Sequence, residues 1–161
     1  MAIDTHIKFD GIEGESTSVD HKGEIEVLSW NWGLAQSAAG PAATGAGSAK
    51  LKTIPEQFRV VHHYDKASPL LAKNAATGKT IKTAVLTARK AGESQKDFLK
   101  ITMKEVFVTS VHSSCGEGSD IAEEVALSYG SIAFAYQPAT AKGTLGGAVT
   151  FDWNTRTDVV N

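Results

Sequence analysis

The sequence contains a single cysteine, Cys115, which excludes a disulfide framework within the chain and suits a reducing compartment. Excess positive charge is also missing. Sixteen Lys and Arg against eighteen Asp and Glu leave a formal net charge of -2, so no broad basic field exists to hold a phosphate backbone, and nucleic acid is not expected as a partner. The amino terminus, Met-Ala-Ile-Asp-Thr-His, has no basic stretch leading into an apolar one. A cleavable secretory signal is therefore not expected; cytoplasmic synthesis is, and any export would need a machine that requires no such signal. Hydrophobic residues make up 42% and charged residues 21%, close to the soluble globular average, so neither disorder nor membrane insertion is expected. At 161 residues and 17.0 kDa one core is enough, and the expectation is a single domain over residues 1–161.

What is present reads as a mainly β chain. From Ile3 to Phe9 the residues Ile3, Thr5, Ile7 and Phe9 alternate with Asp4, His6 and Lys8, the pattern of a half-buried strand. The polar, Gly- and Ser-containing stretch from Gly11 to Lys22 reads as a loop. A second strand, Glu24 to Gly33, changes phase: Ile25 and Val27 are odd-numbered, whereas Leu28, Trp30 and Trp32 are even. A regular strand cannot do this, so either a β-bulge near Val27 or burial of both faces is required. Residues Ala38 to Ala49 are almost all Ala, Gly and Ser, too small to pack, and read as a long excursion.

A third strand spans Phe58 to Tyr64. Ser68 as N-cap, Pro69 in the first turn and Gly78 just past the end define one short helix over Ser68 to Thr77, with Leu70, Leu71, Asn74 and Ala75 near one stripe. Four further β segments follow: Lys82 to Lys90, Phe98 to Val111, Val125 to Tyr136 and Ala148 to Trp153. In the longest, Leu99, Ile101, Met103, Phe107 and Val111 share parity. About seven strands with one helix point to an antiparallel barrel or sandwich.

The chemically suggestive residues all have plainer readings. Gly78-Lys79-Thr80 resembles the end of a phosphate-binding loop, but Lys73 stands where that loop needs its first glycine, and the triplet closes a helix instead of opening one. His62 and His63 are strand neighbours and face opposite ways, so they cannot chelate one ion together. His112 and Cys115 are three apart, with no second pair at zinc spacing. No Gly-x-Ser-x-Gly elbow occurs; Gly130-Ser131-Ile132 lies within a strand pattern. Glu123 and Glu124 diverge on an extended segment and read as a charged loop end. Trp30 and Trp32 share one face and could stack on a sugar or a base, as in a lectin or OB-type module, but large apolar anchors are usually core. No catalytic residue, metal site or cofactor is expected. Three functions remain open from the residues alone: a self-assembling structural part, a carbohydrate- or peptide-binding module using Trp30 and Trp32, and a small hydrolase using His62 or His112.

Several segments resemble the hemolysin-coregulated protein (Hcp) family of type VI secretion. They are His21-Lys-Gly-Glu-Ile-Glu-Val-Leu-Ser-Trp-Asn-Trp-Gly33, Asp65-Lys-Ala-Ser-Pro-Leu-Leu71, Ala84-Val-Leu-Thr-Ala-Arg-Lys-Ala-Gly92, Phe98-Leu-Lys-Ile-Thr-Met-Lys-Glu-Val106, the strand from Glu124 to Tyr136, and Gly146-Gly-Ala-Val-Thr-Phe-Asp-Trp153. The resemblance covers nearly the whole chain. It implies an antiparallel β-barrel with a flanking helix, similar to phage tail tube proteins, and a homohexameric ring stacked into the inner tube of a contractile machine. A sheath, a spike of the VgrG type and small effectors in the lumen are the partners it implies, with export by type VI secretion to the medium or a target cell. By the same resemblance, the loop from Ala38 to Ile54 reaches an adjoining ring, through Thr44, Gly45, Gly47, Lys50, Lys52 and Ile54. Ser29 and Asn31, polar residues opposite Trp30 and Trp32, are expected to line the lumen; an ordinary solvated strand face is the alternative.

Overall fold

The computed structural model describes residues 2–36, 53–91 and 96–161. The excursion at 38–49, with Thr44, Gly45 and Gly47, and also Lys50 and Lys52, lies outside the described residues. The strands are β1 (Ile3–Phe9), β2 (Ile25–Asn31), β3 (Leu34–Gln36), β4 (Thr53–Pro55), β5 (Phe58–His63), β6 (Ile81–Lys90), β7 (Asp97–Ser114), β8 (Ala122–Ser128), β9 (Ser131–Tyr136), β10 (Val149–Asn154) and β11 (Val159–Val160), with one helix, α1 (Ser68–Thr77).

Six strands, in the order β7-β6-β1-β2-β5-β8, close into an antiparallel barrel when β8 returns to β7. Strands β9, β10 and β11 continue the sheet outward from the first half of β7, and β3 and β4 form a separate two-stranded ribbon. Ile7, Phe9, Ile25, Phe58, Leu86, Ile101, Met103, Leu127 and Ile132 are the large buried residues at the centre, with Leu71 of α1 inserted among them.

Two phase changes build this shape. Opposite β5, the register of β2 slips between Val27 and Ser29, so Leu28 is bulged out and 53% exposed. This is the bulge that the parity of Ile25, Val27 and Trp30 requires. The second change was hidden. On β7 the buried residues switch from Ile101 and Met103 to Val106 and Val108, not to Phe107 and Val111, because Glu105 adopts φ 53 and consumes one step of the alternation. Residues 99–104 of β7 pair with β9, and residues 107–114 pair with β8. The chain must therefore leave one ladder and join the other at Tyr129-Gly130, so the single strand expected over Val125 to Tyr136 is two strands. Gly130 sits at the crossing, where an added Cβ would lie 3.2 Å from the Glu105 Cβ.

The helix spans the expected residues and ends at Gly78 in the left-handed conformation, φ 67. Its start differs from expectation. Ala67, not Ser68, occupies the cap position; the Asp65 carboxylate accepts the Ala67 N–H at 2.9 Å, and the Ser68 hydroxyl accepts the Asp65 N–H at 3.1 Å. Asp65 thus supplies the capping oxygen from two residues upstream. Burial raises its carboxyl above the ordinary carboxylate range, against the pull of the Ala67 N–H.

Candidate assembly surfaces

The closed barrel leaves few strand edges open, and those edges carry apolar side chains. The ladder between β1 and β2 consists of His6 opposite Glu26 and Ile7 opposite Ile25. Beyond it the two strands splay: Ile3 to Thr5 pair only with β6, and Ser29 to Asn31 pair only with β5. Ile3 is 56% exposed and borders this seam. The last strand, β11, pairs only with β10, and Val159 and Val160 lie exposed on it. Unpaired N–H and C=O groups beside exposed aliphatic side chains favour pairing with another chain.

The β3–β4 ribbon is a second such surface. Leu34 pairs with Pro55 and Ala35 with Ile54, so the two faces of the ribbon each carry apolar residues, and all six residues are exposed or half-exposed. A ribbon of this length has no core of its own. Its root is braced. The Glu56 N–H donates to the Gly33 carbonyl at 3.1 Å, Trp32 Nε1 donates to the Tyr129 hydroxyl at 2.5 Å, and that hydroxyl donates to the Glu56 carbonyl at 2.8 Å. Burial pushes the Tyr129 phenol up, which keeps it a donor. Ile54, one of the residues expected in the inter-ring loop, lies on this ribbon.

Ser29 and Asn31 are both exposed on β2, on the barrel's outer face, while Trp30 and Trp32 pack inward. Asn31 pairs with Arg59 of β5, whose guanidinium binds Glu124 of β8 at 2.9 Å. Ser110 and His112 of β7 continue the same face across the ladder. Val61, opposite Ser29, and Ala126, opposite Arg59 and Ser110, share the face, which is mixed and whose Arg and Glu neutralise one another.

The other candidates find different uses. Trp30 stacks on Phe58 with ring centroids 5.6 Å apart, and Trp32 packs on Phe134 at 4.7 Å and Phe151 at 6.5 Å. His62 and His63 do face opposite ways, His62 buried and His63 exposed. Glu123 corrects an expectation: it is not at a charged loop end but within β8 and 1% exposed. Its carboxylate meets His62 Nε2 at 3.1 Å and accepts the Ser113 hydroxyl at 2.7 Å, while His62 Nδ1 donates to the His63 carbonyl at 2.7 Å. Both nitrogens of His62 are thereby engaged and none faces a substrate. His112 lies on the outer face, opposite Glu124 and apart from His62. The Cys115 thiol donates weakly to the carbonyls of Gly116 and Ser119. Lys79 and Thr80 line an open cavity of about 370 Å³ beside the carboxyl end of α1, where the helix dipole repels an anion.

Sequence reasoning overlooked the Glu123 network and a second one around His6 and His21. The first had one signal, parity with neighbouring apolar residues: His62 with Val60, and Glu123 with Val125; the second had none, because His6 shares parity with Asp4 and Lys8 and His21 lies in a loop.

Comparison with known proteins agrees over the whole chain. The family model described as "Type VI secretion system effector, Hcp" matches residues 6–136. The chain is 38% identical over 162 residues to the protein named hcp1 of Pseudomonas aeruginosa, covering 99% of each. A solved structure described as a type six secretion system protein superposes with a TM-score of 0.92 at 29% identity, covering 99% of this chain and 100% of the other. The crystal structure of Hcp1 from Salmonella typhimurium gives 0.81 at 34% identity, covering 100% of both. The chain belongs to the Hcp family of type VI secretion proteins.

Proposed function

We propose that this chain is the structural subunit of a type VI secretion inner tube: a single domain over 1–161, six copies of which close a ring, with rings stacked end to end. Family membership supports the tube role, and the open, apolar edges at Ile3 and at Val159 and Val160 are the observation that carries self-assembly. Ring closure needs one patch to bind a different patch on the next copy, and the β1–β2 seam and the β11 edge are two unlike patches on one molecule. The β3–β4 ribbon, with Ile54 exposed on it, reaches the neighbouring ring. Sheath contraction propels the tube, a VgrG-type spike caps it, and small effectors ride in the lumen. The tube performs no catalysis. Synthesis is cytoplasmic and delivery is to the medium or a target cell; no described helix is long and apolar enough to cross a membrane.

Sedimentation velocity across a wide concentration range, with negative-stain microscopy, tests the assembly. A hexamer-sized species and annular particles with an open centre are expected. Monomers at every concentration would rule it out.

The lumen assignment rests on Ser29 and Asn31 belonging to a face whose Arg59 and Glu124 charges cancel, over which cargo can slide. Asn31→Arg is expected to leave rings intact and to change the amount of effector that co-purifies with them. Unaltered retention in pull-downs would move the lumen to another face.

A further inference from the structure

The segment between β1 and β2 folds back over the outside of the barrel and is held there by a charged cluster with two stacked histidines at its centre. Within the segment, the Gly14 N–H donates to the Gly23 carbonyl at 2.8 Å, and those of Ser16 and Gly23 donate to Glu24 and Ser16 carbonyls at 2.9 Å. Ile12 anchors the start of the segment in the hydrophobic core and Asp20 binds Arg89 of β6; between them the His21 ring lies flat on the ring of His6 from β1, centroids 4.6 Å apart and planes within 10°. Each histidine is 5% exposed.

The two rings have unlike surroundings. His21 Nδ1 lies 2.8 Å from the Glu24 carboxylate and its Nε2 lies 3.2 Å from Asp97, the first residue of β7. His21 thus bridges a carboxylate of its own segment and one of β7. His6 has the reverse: its Nδ1 is buried without a hydrogen-bond partner. Arg89 of β6, 3% exposed, binds Asp97 and Asp20 at 3.1 Å each, so those carboxylates are already committed. The charged groups around His6 are thus Asp20, His21 and Glu24 of the segment, Glu26 of β2, Arg89 of β6 and Asp97 of β7, with Asp4 and Lys8 flanking it on its own strand face. A proton on His6 would place a cation flat against the His21 ring and near the Arg89 guanidinium, on a ring with no acceptor at Nδ1.

We propose that the His6–His21 stack is an acid-sensitive latch, keeping residues 13–24 folded against the barrel at neutral pH and letting the turn open, with loss of its own hydrogen bonds, when His6 gains a proton. Burial first, and then His21, hold His6 below its ordinary value of 6.5, against the pull of Glu24 and Glu26. The sign follows from linkage. The released segment leaves His6 in water with an ordinary affinity for protons, so the released form binds more protons than the latched one as pH falls below about 6.5, and acid favours release. The latch stands whether or not the tube reading holds, because it concerns one subunit.

Amide hydrogen exchange on the full chain, corrected for the intrinsic pH dependence of exchange, tests it. From pH 7.5 to pH 5, protection at Gly14, Ser16 and Gly23 is expected to fall by up to about tenfold per pH unit below 6.5, while Val60 and Ile101 in the barrel stay protected. His6→Phe, a flat ring that stacks without titrating, is expected to abolish the fall. Flat protection in the native chain, or an equal fall in His6→Phe, would overturn the latch. The native chain also decides the matter should that variant not fold: NMR titration must show His6 taking its proton in the same pH range in which Gly14 and Gly23 lose protection, and protonation with those amides still protected refutes it.

Discussion

Replacing His62 with alanine is expected to destabilise the fold by about 3–5 kcal/mol, because it opens a cavity and leaves a buried carboxyl group without its imidazole partner. Glu123 would remain 1% exposed on β8 with only the Ser113 hydroxyl, 2.7 Å away, to replace the lost imidazole. For a chain of this length the loss corresponds to roughly 6–20 °C in Tm. It is read as a drop in the urea midpoint at unchanged slope, with protomer concentration held fixed because assembly adds its own stability. The paired change His62→Leu with Glu123→Leu is expected to recover most of the loss. Burying these polar side chains has a desolvation penalty that their hydrogen bonds only partly offset, and two aliphatic groups avoid that penalty altogether. A double mutant as unstable as His62→Ala would mean that the pair is needed for its hydrogen bonds across β5, β8 and β7 and not merely for mutual neutralisation.

That network shows where sequence reading stops. Hydropathy puts Glu and His outside, so a buried Glu123 can be found only through its parity with Val125, and the adjoining Glu124 masks the pattern. The bulge on β2 was legible because the strand beyond it has apolar residues on one face only, which makes the slip from Val27 to Trp30 visible. The slip on β7 was not. Val106, Phe107, Val108 and Val111 place apolar side chains on both faces, so nothing in the pattern marks Glu105 as the turning point. The split between β8 and β9 was hidden for the same reason, since Val125 to Tyr136 is apolar nearly throughout and only the geometry of β7 forces the crossing at Gly130. Local signals with a steric basis fared best: Gly78 ends α1 in the left-handed conformation because the chain needs φ 67 there. The three-residue strands of the ribbon are too short to show a period of two, although Ile54 was among the residues the family resemblance placed in an extended loop.

Trp32→Ala separates the structural reading of this chain from the ligand-binding one. Trp32 is half-buried against Phe134 and Phe151, and its N–H holds the Tyr129 hydroxyl that in turn holds Glu56 at the root of the ribbon. Truncation is expected to destabilise the fold by about 3 kcal/mol, the lower end for tryptophan because the ring is not fully enclosed. Trp32→Phe keeps the packing, loses one hydrogen bond, and is expected to lose only about 1 kcal/mol. A binding platform behaves differently: its aromatic ring faces solvent, so truncation leaves the denaturation midpoint in place and removes only ligand-induced quenching of fluorescence. The two outcomes do not overlap. An unchanged midpoint in Trp32→Ala would show that the stack on Phe134 contributes nothing to the core, and the carbohydrate- or peptide-binding reading would regain its standing. A lowered midpoint with rings still visible at low urea concentration would make Trp32 a packing residue against β9 and β10 and leave assembly to the edges at Ile3, Val159 and Val160.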